Sequence, residues 1–147
     1  MNEHEQAFVK EFISPQRRDR YIGFFSSTKR RSKFRNRIAH ALLRDLEARY
    51  LFEEDKLVLT TANAVRHLLQ SKQRNTRCYV MCEDTALDGQ EMTLEEAERQ
   101  WDSLCGIIIS IVPGKLVYYR PERPSENFIL LKEATHDRQT NARTGHP

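Results

Sequence analysis

The sequence predicts an α+β fold: a helical N-terminal half packed on a small, mainly antiparallel sheet of three to four strands, within a single domain. Three observations carry this. The stretch 105–132, CGIIISIVPGKLVYYRPERPSENFILLK, sets unbroken β-branched runs around a Pro-Gly turn pair. Upstream of it, apolar residues recur every three or four positions, the period of helices with one apolar face. A sheet with an apolar face needs a cover, and those helices supply one.

The elements follow in order. Ala7, Phe8, Val9, Phe12 and Ile13 share one helical face. Ser14 then has N-cap chemistry, with Pro15 at the first helical position, where its missing N–H costs nothing. A short helix from Pro15 to Phe25 is expected to bury Tyr21, Ile22 and Phe25, and Ser26, Ser27 and Thr28 punctuate it. The third helix is expected to be the longest, from Thr28 to Tyr50 or Phe52. Its broad apolar arc holds Phe34, Ile38, Leu42 and Leu46, beside a stripe of Arg30, Lys33, Arg37, His40 and Arg44. Glu53, Glu54 and Asp55 mark a loop, and Leu57 to Leu59 is a short strand or the start of a fourth helix. Thr60 or Thr61 can cap a helix to Ser71.

Cys78 to Cys82 reads as a strand, and 84–91 as a loop with an Asp88-Gly89 turn pair. Thr93 and Glu96 have capping-box spacing, opening a helix whose apolar stripe is Leu94, Ala97, Trp101 and Leu104. Strand, helix and strand in succession suggest a crossover, right-handed if the two strands are parallel neighbours. Ile107 to Val112, Leu116 to Tyr119 and Phe128 to Leu131 complete the sheet. The expected core is Phe34, Ile38, Leu42, Val80, Trp101, Leu104, Ile107, Ile109 and Ile111. At 147 residues, 39% of them hydrophobic, the chain fits one domain over 1–133, helical over 1–72 and sheet-forming over 77–132. The polar segment 134–147 has the composition of a disordered tail.

No apolar run approaches the roughly 20 residues that span a bilayer, and the N-terminus lacks the layout of a signal peptide. Three cysteines, an odd count, fit reduced thiols, so a cytoplasmic protein without membrane or cofactor is expected. Cys78 and Cys82 on one strand face would lie about 13 Å apart, too far for a shared metal or a disulfide. No metal site is assigned.

Charge is unevenly placed. From Lys10 to Arg49 twelve Lys and Arg face four carboxylates, a balance of +8, while 83–102 carries eight carboxylates against Arg99, a balance of −7. Two helix starts, Pro15-Gln16-Arg17-Arg18 and Thr28-Lys29-Arg30-Arg31, place cations where the helix dipole disfavours them. A bound anion resolves that conflict; so do ion pairs with the carboxylates of 83–102. The leading reading is a non-catalytic protein that docks a polyanion, nucleic acid first among them, on Arg17, Arg18, Arg20, Ser27, Thr28, Lys29, Arg30, Arg31, Lys33 and Arg37. Tyr21, Phe24, Phe25 and Phe34 among these cations could stack on bases, although their helical spacing fits core.

A second reading is a protein-interaction module whose basic half meets an acidic protein surface or another copy's segment 83–102, giving a homo-oligomer. A third is a metal-dependent phosphoesterase built on Glu83, Asp84, Asp88 and Glu91, with Glu54-Asp55-Lys56 as a nuclease-like element. His40 and His67 have no nucleophile at a placeable spacing, and no catalytic residue is assigned.

Overall fold

The computed structural model describes residues 1–53, 76–101, 103–104, 106–121 and 128–132. They form an α+β unit in which five α-helices and a six-stranded antiparallel sheet are described. The helices are α1 (Glu3–Phe12), α2 (Arg18–Phe25), α3 (Thr28–His40), α4 (Leu42–Asp45) and α5 (Leu94–Trp101). The strands are β1 (Leu51–Glu53), β2 (Arg77–Cys82), β3 (Gln90–Thr93), β4 (Ile107–Val112), β5 (Leu116–Arg120) and β6 (Phe128–Leu131), in the order β1-β6-β5-β4-β2-β3.

The hairpin at the centre forms as its residues dictate. Gly114 takes φ +70 after Pro113, and the Lys115 N–H donates to the Val112 carbonyl, the geometry of a type II turn. The β4–β5 register shifts between Ser110 and Val112, so Ile111 sits in a bulge that bends the strand. The sheet exceeds the expected three to four strands because two short strands join its edges. The four residues of β3 are half exposed and too brief to show alternation, and β1 begins where the apolar spacing of α3 still runs on in the sequence.

The helix expected from Thr28 to Tyr50 breaks at Ala41 into α3 and α4 and ends at Asp45, and the reason for that end is tertiary. Residues 45–47 leave the helix to pair with 12–14: the Ser14 N–H donates to the Asp45 carbonyl, the Glu47 N–H donates to the Phe12 carbonyl, and Ile13 bridges Leu46. Those backbone bonds replace the helical ones that 45–47 give up. The segment Pro15–Arg17 is a tight 3₁₀ turn, so α2 starts only at Arg18 and turns Ile22 outward, 45% exposed, where burial was expected. β2 and β4 are antiparallel neighbours and no parallel crossover joins them, because β3 reverses the chain before α5.

Both faces of the sheet are buried, as the unbroken apolar runs of β2 and β4 require. Tyr79, Met81, Ile108, Val117 and Tyr119 meet Phe8, Phe12, Tyr21, Phe34, Ile38 and Leu42 of α1 to α4. Cys78, Val80, Ile107, Ile109 and Ile111 point the other way and share a cluster with Leu94 and Ala97 of α5. Helices α1 to α4 and helix α5 therefore lie on opposite faces of the sheet. The capping box holds: the Glu96 N–H donates to Thr93 Oγ1 and the Thr93 N–H donates to Glu96 Oε2. Of the expected core, Phe34, Ile38, Leu42, Val80, Ile107, Ile109 and Ile111 are buried and Leu104 is partly so. The Trp101 side chain, Cys105, the segment Leu57 to Leu59, the helix expected up to Ser71, Glu54-Asp55-Lys56, His67 and the 134–147 tail lie outside the described residues. Among the described residues no helix is long and apolar enough to cross a membrane.

Candidate polyanion-binding face

The cations between Arg17 and Arg37 divide into two sets, and the apolar stripe of each helix decides which set a residue joins. Arg31 precedes Phe34 and Ile38 by three and seven positions, so it points toward the sheet. Its Nε donates to Asp88 Oδ2 at 2.6 Å, its Nη2 donates to Asp88 Oδ1 at 3.1 Å and its Nη1 donates to Glu5 Oε2 at 2.6 Å. Both acceptor side chains are below 10% exposed, at 2% for Asp88 and 7% for Glu5. Asp88 also accepts from the Cys82 N–H, and Arg35 approaches it at 3.5 Å.

Glu5 lies on the α1 stripe with Phe8, Val9 and Phe12 and also accepts from the Tyr79 hydroxyl at 3.0 Å. Burial first, and then Glu5, push the Tyr79 hydroxyl up to about 12. The Arg31 guanidinium would be lowered by burial, but Asp88 and Glu5 outweigh that and hold it above its ordinary value. His4 stacks on Tyr79 with ring centroids 5.4 Å apart, and its Nδ1 lies 2.8 Å from Ser110 Oγ. Burial lowers its pKa from 6.5.

A second internal cluster surrounds Asp45. The Tyr21 hydroxyl donates to Asp45 Oδ2 at 2.5 Å, Arg37 Nη2 donates to the same oxygen at 2.9 Å, and Arg17 Nε lies 3.8 Å from Oδ1. Burial favours the neutral acid at Asp45, yet the hydrogen bonds from Tyr21 and Arg37 win and place its pKa below the ordinary value. Arg18 Nε donates to the Ile13 carbonyl at 3.1 Å. Arg18, Arg31 and Arg37 thus work inside the molecule, tying α2 and α3 to their surroundings.

The remaining residues of the expected site face outward. Arg20, Ser27, Thr28, Lys29, Arg30 and Lys33 are exposed, and Arg17 keeps 46% of its side chain in solvent. Arg20, Lys29, Arg30 and Lys33 make no ion pair among the described residues. Lys29 and Arg30 each lie one helical turn from Lys33. Arg30 Nη1 comes within 3.7 Å of the place a Cβ on Gly23 would take, and Gly23 is one turn from Arg20, which brings the cations of α2 and α3 together. In 12–44 the sequence has a single carboxylate, Asp19.

Ser27 is the N-cap of α3, its hydroxyl accepting from the Arg30 N–H, and no acidic residue occupies the first turn. The other helix start that reversed the dipole rule proves to be the 3₁₀ turn, and α2 itself carries Asp19 in its first turn. Tyr21, Phe24 and Phe34 are buried, and Phe25 is half-buried beneath the Arg31 guanidinium, 5.2 Å from its ring centre. These rings are core and do not present faces to bases. The carboxylates of the phosphoesterase reading do not assemble either, since Asp88 is held by Arg31 and, among the described residues, no three metal-ligating side chains converge.

Charged residues on apolar stripes were the signal for the internal clusters. Glu5 shares its face with Phe8 and Phe12, and Asp45 follows the buried Leu42 by three positions; each position implies a buried partner of opposite charge. No protein-family model, curated protein or solved structure matches the chain.

Proposed function

We propose that the chain is a non-catalytic binding protein that docks a polyanion, nucleic acid foremost, on the outer face of α2 and α3. The observation that carries the reading is the contiguous set Arg20, Lys29, Arg30 and Lys33, exposed and without ion pairs among the described residues, beside a helix start with no acidic residue. Arg17 and Thr28 border the set. Arg18, Arg31 and Arg37 support the face from beneath as structural residues. Cations held this way bind phosphates with an affinity that falls as salt rises.

The test is fluorescence polarisation of labelled DNA and RNA against the purified protein from about 50 to 200 mM salt. Binding should weaken steeply with salt and vanish in Lys29→Glu, Arg30→Glu, Lys33→Glu, a triple variant of exposed positions whose circular dichroism should match the parent. A wild-type chain that binds no nucleic acid at the lowest salt overturns the reading. The face then belongs to an acidic protein partner.

A further inference from the structure

Resting on the polyanion reading above, we infer that the ligand is a double-stranded nucleic acid, held by its phosphates, and not a single strand. Proteins that hold single strands combine cations with exposed aromatic rings, on which successive bases stack. The four rings of α2 and α3 that lie among these cations are turned inward or covered: Tyr21, Phe24 and Phe34 are buried, and Phe25 packs 4.6 Å from Phe34 and under Arg31. The exposed set Arg20, Lys29, Arg30 and Lys33 is charge without a stacking surface.

The helix that carries most of the array is also fixed in place. Arg31 clamps α3 to α1 through Glu5 and to the β2–β3 loop through Asp88, while Arg37 ties α3 to Asp45 and Tyr21. A fixed helix face offers its cations to a surface of phosphates without having to order its own backbone first. A duplex also presents one charge per about 1.7 Å, twice the linear density of a single strand, and releases about 0.9 counterion per contact against about 0.7. With stacking absent, the charge term decides, and it favours the duplex.

The experiment uses the full chain and probes of about 20 nucleotides: a mixed-sequence DNA duplex, the RNA duplex, their separated strands, and oligo(dT). The expected result is a duplex, DNA or RNA, bound at least about tenfold more tightly than its strands at 50 mM salt, and a loss of about 150-fold by 200 mM for four phosphate contacts. In Lys29→Gln with Lys33→Gln the slope of log affinity against log salt should fall by about 1.8. Single strands bound as tightly as the duplex would overturn the duplex inference and leave the polyanion reading standing. No salt-dependent binding to any probe would overturn both. A slope unchanged in the double variant would remove the duplex from this face.

Discussion

Arg31 joins three parts of the chain. One guanidinium reaches two nearly buried carboxylates from distant stretches of the chain, Glu5 and Asp88, and covers the Phe25 ring. Removing one partner of such a group strands the others' charge, so Arg31→Met should cost about 3 kcal/mol in urea unfolding, whereas Lys33→Ala on the same helix should stay within about 0.5 kcal/mol. Equal costs for the two would show that Arg31 carries no structural clamp. Asp45 gives the pH signature. Its carboxylate has a lower pKa in the folded chain than in the unfolded one, so the charged form stabilises the fold above 3.8 and that contribution is lost as pH falls through the folded value. Wild type should therefore exceed Asp45→Asn in melting temperature at neutral pH, and the gap should close in acid. These contacts were only half legible in the sequence. That basic residues could pair with 83–102 was readable from charge balance, but which arginine would do so depended on the α3 face that turns inward.

At the scale of elements, the β4–β5 hairpin, β2, β6 and the capped α5 were legible, because each rests on local chemistry: a Pro-Gly turn, β-branched runs, a Thr-x-x-Glu box. The end of the helical stretch at Asp45 was not, because the competing bonds of 45–47 come from 12–14 and leave no local mark. The two short edge strands were missed for a similar reason: Leu51–Glu53 and Gln90–Thr93 have no unbroken apolar run such as the four residues of β6 have, so their neighbours define them. Gly106 shows how closely two elements meet. It has φ +69, and a Cβ there would lie 3.1 Å from the Ala39 backbone nitrogen at the end of α3. Gly106→Ala should cost about 1–2 kcal/mol from the left-handed backbone and more from the contact, measured by denaturant unfolding. Gly23→Ala provides the contrast: the position is helical and open to 3.7 Å, so the change should be neutral or stabilise by up to about 1 kcal/mol. Equal losses at the two glycines would contradict the close approach of β4 to α3.

Across the whole molecule, charge is sorted by the sheet. The exposed cations of α2 and α3 stand on one side, and α5, with Glu95, Glu96 and Glu98, stands on the other. Neutralising the far side, as in Glu96→Gln with Glu98→Gln, should leave polyanion affinity unchanged near 0.15 M salt, where the screening length is about 8 Å, and tighten it at about 0.01 M, where it is about 30 Å. A large effect at the higher salt would mean that α5 itself touches the ligand. The position of α1 has a consequence for how the chain is made. His4 meets Ser110, Glu11 meets Lys132, and Ala7 and Glu11 rest on the Gly114 turn, so α1, made before β4, β5 and β6, finds its seat only after they have followed. During synthesis its apolar stripe of Phe8, Val9 and Phe12 has no sheet to cover, and contacts this distant in sequence form slowly. The uncovered stripe of α1 is therefore the segment that a chaperone would meet, and completion of the hairpin is the event that would release it.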